Sequence, residues 1–142
     1  MSLNKKQRET LKNKFGGKCA YCGCVLGDKW HADHLEPVIR LSEVVRVDKP
    51  NQRYAFRPTG KMLKPENHRD DNYMPACVPC NIHKTSMSLE CFRRCLESHL
   101  ESLNRVSSYS IYRHAKRFGM IAEIPKKIQF HFETYKEQAH EL

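Results

Sequence analysis

The sequence predicts an α+β fold in which two short strands and a following helix are stapled by a four-cysteine zinc site. An N-terminal helix precedes this unit, and C-terminal helices with a short strand follow it. Three observations lead there. Two C-x-x-C pairs, Cys19/Cys22 and Cys77/Cys80, sit beside turn residues in "GGKCAYCGC" and "MPACVPCN"; two such knuckles supply four thiolates, a donor set of tetrahedral zinc. The segments "KWHADHLEPVIRL" and "DNYMPAC" read as short strands, one running into an irregular turn at Pro37 and the other ending at the second knuckle. After Ser88, the residues Leu89, Phe92, Leu96, Leu100 and Leu103 recur at spacings of three and four, the period of a helix with one apolar face.

In chain order, Asn4 to Phe15 carries the i, i+4 pair Leu11 and Phe15 among Lys and Arg before Gly16-Gly17, a short basic helix with a glycine stop. The first knuckle and the first strand follow. From Arg46 to Arg69 there are three prolines, one glycine and seven Lys or Arg against Asp48 and Glu66, with no sustained period. The expectation is a long basic loop able to lie over a phosphate backbone. The second strand then leads into the second knuckle. Ser88 is the expected N-cap of the next helix, and a further helix is expected over 108–118, with Tyr112, Ala115 and Phe118 on one face and Gly119 as its stop. In "KKIQFHFET" the alternation of Ile128, Phe130 and Phe132 predicts a half-buried strand before a charged tail. The organisation expected is a zinc-stapled core with its basic helix and loop over 1–88, and a helical extension packed on it over 89–142.

The 142 residues include 25 Lys and Arg against 16 Asp and Glu, a formal charge of +9, spread along the chain rather than collected in a tail. Four thiolates and one dication lower this to about +7, which leaves an acidic polymer, most simply nucleic acid, as the expected partner. No apolar run reaches the length of a membrane span, and "MSLNKKQRETLKNKF" lacks the apolar centre of a secretion signal. A cytoplasmic protein without a membrane partner is expected, and its seven cysteines then read as ligands or buried thiols rather than disulfides. Cys24 makes the first knuckle C-x-x-C-x-C and competes with Cys22 as a ligand; Cys22 is favoured because two matched knuckles need no rearrangement. Cys91 and Cys95, four apart on the expected helix, read as small buried apolar residues.

The parts occur in a definite order: "CAYC", "DHLEP", a long loop, Asn72, "NYMPACVPCN", and Lys84 three residues beyond Asn81. That order resembles the HNH endonucleases, whose core is a ββα-metal unit, and in particular small phage or bacterial members; the likeness covers about residues 15–85. It implies a metal-dependent endonuclease that hydrolyses DNA phosphodiester bonds, with RNA as the alternative substrate, working in a bacterial or phage-infected cell. It also implies that Asn72 braces the loop holding the base rather than touching the metal.

Phosphodiester hydrolysis needs an activated water, stabilised charge on the phosphoryl oxygens and help for the leaving oxygen. His34 is the candidate general base, because a neutral imidazole takes a proton near physiological pH. Asp33 and Asn81 are the candidate ligands of a catalytic Mg2+ or Mn2+, which prefers oxygen donors and keeps most of its waters. A base and a metal ligand must both reach one phosphate, and their adjacency at a strand end sets their separation. With Asn81 where other members carry histidine, the pattern is an H-N-N variant, and its oxygen-rich site suits magnesium or manganese better than zinc or nickel. Lys84 is expected either to meet a phosphate or to be solvated, and His31 to act behind the ligands or to fill surface. The offset of His83 does not match the pattern, and His68, His99, His114, His131 and His140 match nothing. The competing reading is a zinc-stapled nucleic-acid-binding module that does not cut; a third, a partner-binding protein using its C-terminal helices, gives the Asp33, His34 and Asn81 coincidence no meaning.

Overall fold

A computed structural model describes residues 2–137, an α+β arrangement of six α-helices and four strands among those residues. Helix α1 (Lys5–Lys12) starts at Asn4, whose side chain accepts from Gln7 N–H at 2.9 Å while Gln7 Oε1 accepts from Asn4 N–H at 2.9 Å, a reciprocal cap that satisfies two orphan donors. Strand β1 (Trp30–His34) pairs antiparallel with β4 (Tyr73–Cys77), with Asp33 opposite Met74 and His34 opposite Tyr73. Helix α2 (Val78–Lys84) follows β4 without a break and packs on both strands. No helix of the described residues is long and apolar enough to cross a membrane.

The expected loop over 46–69 is instead mostly a hairpin. Strands β2 (Ile39–Lys49) and β3 (Gln52–Leu63) pair antiparallel and close on Pro50-Asn51, with Asn51 at φ 65°, a conformation that Asn tolerates better than most residues. The register shifts between Arg40 and Ser42, beside Pro58 on the facing strand, where a bulge accommodates a residue that cannot donate to the ladder. The sequence shows this hairpin only faintly: along both strands every residue is exposed or half-buried, and of the alternate positions of β2 only Leu41, Val45 and Val47 are half-buried, with exposed Glu43 between them.

Helices α3 (Leu89–Glu97), α4 (His99–Arg105) and α5 (Ser110–Arg117) follow. Ser88 caps α3 as expected, its hydroxyl accepting from Cys91 N–H at 3.2 Å. The apolar stripe that reads as one helix is broken at Ser98 into α3 and α4. Phe118 is largely exposed rather than part of a buried face. The strand expected at "KKIQFHFET" is absent: residues 121–130 have no regular structure, and His131–Thr134 form the short helix α6. The alternation has another cause. Ile128, Phe130 and Phe132 all pack into the core, and the backbone bonds to the first knuckle through His131 N–H to Tyr21 O and Phe132 N–H to Ala20 O. His140 lies outside the described residues.

The core gathers around that knuckle. Tyr21 presents its ring at steep angles to Phe92 and Phe130, with centroids 5.7 and 5.6 Å away, and Phe92 stacks on Phe130 at 5.5 Å, geometries that aromatic quadrupoles favour. Arg93 latches the C-terminal segment onto α3: it donates to Ile128 O at 2.6 Å, pairs with Glu133 and lies 4.7 Å from the Phe130 centroid.

Candidate active site and metal centre

The turn that presents Cys19 and Cys22 is closed by Cys19 N–H to Cys24 O at 2.8 Å and Gly23 N–H to Cys19 O at 3.0 Å. Gly23 has φ +77°, and a Cβ there would lie 3.3 Å from His131 Nδ1, so both backbone and neighbour select glycine. Cys77 ends β4 and Cys80 lies in the first turn of α2. The four sulfur atoms lie within 4.8 Å of one another, and Cys22 Sγ is 3.8 Å from Cys77 Sγ. Tetrahedral zinc with Zn–S near 2.3 Å requires sulfur separations of about 3.8 Å. The hydrogen bond with Cys80 holds the Cys19 thiol down to about 4, and the same contact pushes Cys80 upward. Thiols this close cannot all ionise together, and a dication among them removes that conflict. The cluster is therefore able to hold a metal ion such as zinc. Cys24 lies beside Cys22 and Cys77, pushed up to about 12 mainly by burial, and is outside the four-sulfur set.

Across the β1–β4 pair a cleft of about 870 Å³ is lined by Asp33, His34, His68, Asn81 and the cations Arg8 and Arg40. Asp33 and His34 reach it from the end of β1, and Asn81 from α2, one residue after Cys80. Asp33 is 8% exposed, and its Oδ2 accepts from Tyr21 Oη at 2.5 Å and pairs with Lys84 Nζ at 3.1 Å. Both contacts fall on Oδ2, and among the described residues no hydrogen bond reaches Oδ1. Burial and the Asp33 charge raise the Tyr21 hydroxyl, which keeps it a proton donor. His34 Nε2 lies 3.0 Å from His68 Nδ1, and its ring lies 4.7 Å from that of Tyr73. Burial first and His68 second push His34 below its ordinary value of 6.5, with Asp33 opposing, so the ring is neutral at neutral pH.

Lys84 corrects both sequence expectations for it. Its side chain is 0% exposed, bonds to His34 O at 2.9 Å and pairs with Asp33, so it is neither solvated nor directed at a phosphate. It fixes the strand end from within. Asn72 ends a short turn ahead of β4 rather than lying on the strand. Its Nδ2 donates to Glu36 O at 2.8 Å and Asn67 O at 2.7 Å, its Oδ1 accepts from Glu36 N–H at 2.9 Å, and its carbonyl accepts from Leu35 N–H. These bonds hold the chain just beyond His34. His31 is exposed at the cleft wall.

Sequence reasoning missed Tyr21, whose "CAYC" context signals only a knuckle, and His68, which no motif marks and which the second strand pair carries toward His34. Cys91 and Cys95 are not the buried apolar residues expected: Cys91 is exposed, and Cys95 is half-buried beside His83. No protein-family model, curated protein or solved structure matches the chain. What the fold and site define is an α+β protein with a four-cysteine cluster able to hold a metal.

Proposed function

We propose that the chain is a metal-dependent endonuclease of the HNH type that hydrolyses DNA phosphodiester bonds, with zinc at Cys19, Cys22, Cys77 and Cys80 stapling a ββα unit made of β1, β4 and α2. The observation that carries this reading is that Asp33, His34 and Asn81, from two elements far apart in the chain, line one cleft flanked by Arg8 and Arg40. Asp33 Oδ1 and the Asn81 amide oxygen are the donors that would hold a Mg2+ or Mn2+ ion. Lys84 and Tyr21 on Oδ2 orient the carboxylate from behind, as partners of metal-binding carboxylates commonly do. Such an ion, when bound, stabilises charge on the phosphoryl oxygens. His34, neutral at neutral pH, takes the proton of the attacking water; with Nε2 on His68, one ring nitrogen is left for that task. Asn72 holds the loop after His34 so that the ring keeps its place, and Arg8 and Arg40 draw the phosphate backbone to the cleft.

A second reading is the binding module that does not cut. The Asp33–Lys84 pair favours it, because a carboxylate already matched by an internal ammonium attracts a cation less strongly. Supercoiled plasmid incubated with the protein and Mg2+, Mn2+ or chelator separates the two. The nuclease reading expects metal-dependent nicked or linear DNA with 5′-phosphate ends, a loss of about two to four orders of magnitude in His34→Ala with zinc and DNA affinity kept, and partial recovery of Asn81→Ala at high metal concentration. Its rate rises with pH through a value below 6.5. Tight DNA binding without cleavage under any metal hands the site to the second reading, and a 2′,3′-cyclic phosphate end on RNA would mark a ribose-hydroxyl mechanism instead.

A further inference from the structure

Outside the four-cysteine cluster, a second group of metal-ligating side chains converges. His83 from the last turn of α2, Cys95 from α3 and His99 from the start of α4 each bring one ligand atom within 4.8 Å of the others. The two Nε2 atoms are 2.9 Å apart, and Cys95 Sγ lies 4.0 Å from His83 Nε2. We propose that His83, Cys95 and His99 form a second zinc site, with three protein ligands and a fourth position open to solvent.

The donor set points to the metal. Two imidazoles and one thiolate form a borderline-soft set that suits zinc and offers too few oxygens for magnesium or calcium. The distances fit as well. A tetrahedral ion with Zn–N near 2.05 Å and Zn–S near 2.3 Å spreads its ligands to about 3.3 Å between nitrogens and about 3.6 Å between sulfur and nitrogen. The observed 2.9 and 4.0 Å are each met by shifts of about 0.4 Å. His83 is exposed, and Cys95 and His99 are half-buried, so an ion can enter and the side chains can close on it without disturbing the core.

The local sequence builds the group from two sides. Cys95 lies in the last turn of α3 and His99 opens α4, one on each side of the Ser98 break. His83 comes from the helix that carries Cys80 and Asn81, with its ring 5.7 Å from that of Phe92. The two clusters share no ligand. An ion here fastens the end of α2 to the α3–α4 elbow.

The test is zinc content of the purified full-length protein after loading with zinc alone and removal of the excess. Two zinc ions per chain are expected in the unmutated protein and one in each of Cys95→Ser and His99→Ala, with helical circular dichroism unchanged. One ion in the unmutated protein that both variants retain, or two in all three proteins, overturns the site. A second measurement needs no variant: alkylation of Cys95, followed by mass spectrometry, on protein carrying one zinc ion per chain, which keeps the four-cysteine site filled, and on protein carrying two. Zinc should slow it by about ten-fold or more, while the exposed Cys91 stays equally reactive. Equal Cys95 rates with one zinc ion per chain and with two also overturn it.

Discussion

The two strand pairs of this protein are built in opposite ways. β1 and β4 are five residues each and bury Trp30, Asp33, Tyr73, Met74 and Ala76. β2 and β3, with eleven and twelve residues, bury none. The longer ladder has more hydrogen bonds, yet a two-stranded hairpin with no fully buried side chain is marginal in water, because each bond replaces one to solvent. The short pair has few bonds but is closed by the cysteine cluster at one end and by Tyr21, Phe92 and Phe130 behind it. Stability therefore belongs to the short pair, and the long hairpin adds little to it.

The largest loss is expected at the cysteines. Cys77→Ala is expected to lose zinc relative to the unmutated protein and to lose the cooperative melt with it. Structural zinc in small domains is worth about 10–16 kcal/mol, as much as the whole stability of a typical domain, about 5–15 kcal/mol. Metal analysis and a thermal melt of the same sample check both. Undiminished zinc in that variant would move the staple elsewhere.

A pair of substitutions sharpens the contrast through charge. Lys84→Met leaves Asp33 buried without its ammonium and is expected to cost about 3–5 kcal/mol. Arg57→Met breaks the Arg57–Glu43 bridge of the hairpin, whose side chains are 66% and 48% exposed, and is expected to cost no more than about 1 kcal/mol. Urea melts of the two variants should differ by several-fold in their loss of stability. Equal losses would remove the distinction between the two strand pairs.

What is legible in the sequence follows the same division. The cysteine spacing, the "DHLEP" strand end and the Ser88 cap are local signals, and the structure carries each at the residues that signal it. The hairpin leaves only a faint signal, because Leu41, Val45 and Val47 alternate but are no more than half-buried and Glu43 interrupts them. The alternation of Ile128, Phe130 and Phe132 reports real burial, but burial against aromatic rings rather than in a ladder. Lys84 defeats a reading from sequence because a fully buried lysine is rare enough that solvent is the ordinary expectation; only the position of Asp33 reveals its partner. His68 and Tyr21 reach the cleft or its carboxylate through tertiary placement, and no spacing in the chain announces them.

A smaller effect should appear at the C-terminal latch. Arg93 holds the Glu133 carboxyl below its ordinary value of 4.5. A carboxylate depressed in the folded state adds stability that is present above the unfolded value and lost as pH falls through the folded one. Glu133→Gln should therefore cost about 1 kcal/mol at neutral pH and make the fall of stability below pH 4.5 shallower. Urea melts between acid and neutral pH check it; a parallel acid limb in the variant would mean that the latch contributes nothing by charge.

The smallest expected effect on stability lies in the hairpin, and it is also the most informative about function. Replacing residues 44–56 by a short glycine-containing turn removes exposed Val44 and Phe56 and several cations, but no buried residue. Zinc content should not change, and stability should move by about 0.5 kcal/mol or less. If the nuclease proposal is right, DNA affinity should fall, and its dependence on salt should become shallower by about 0.9 for each phosphate that the hairpin neutralises. Single substitutions grade the effect: Arg53→Ala and Lys61→Ala should each lower the slope more than Arg57→Ala, because Arg57 is already matched by Glu43 at 2.5 Å. A large loss of stability on excision would show that the hairpin supports the core after all. An unchanged salt slope would move the nucleic-acid footprint to the cations outside it, beginning with Arg8 and Arg40 at the cleft.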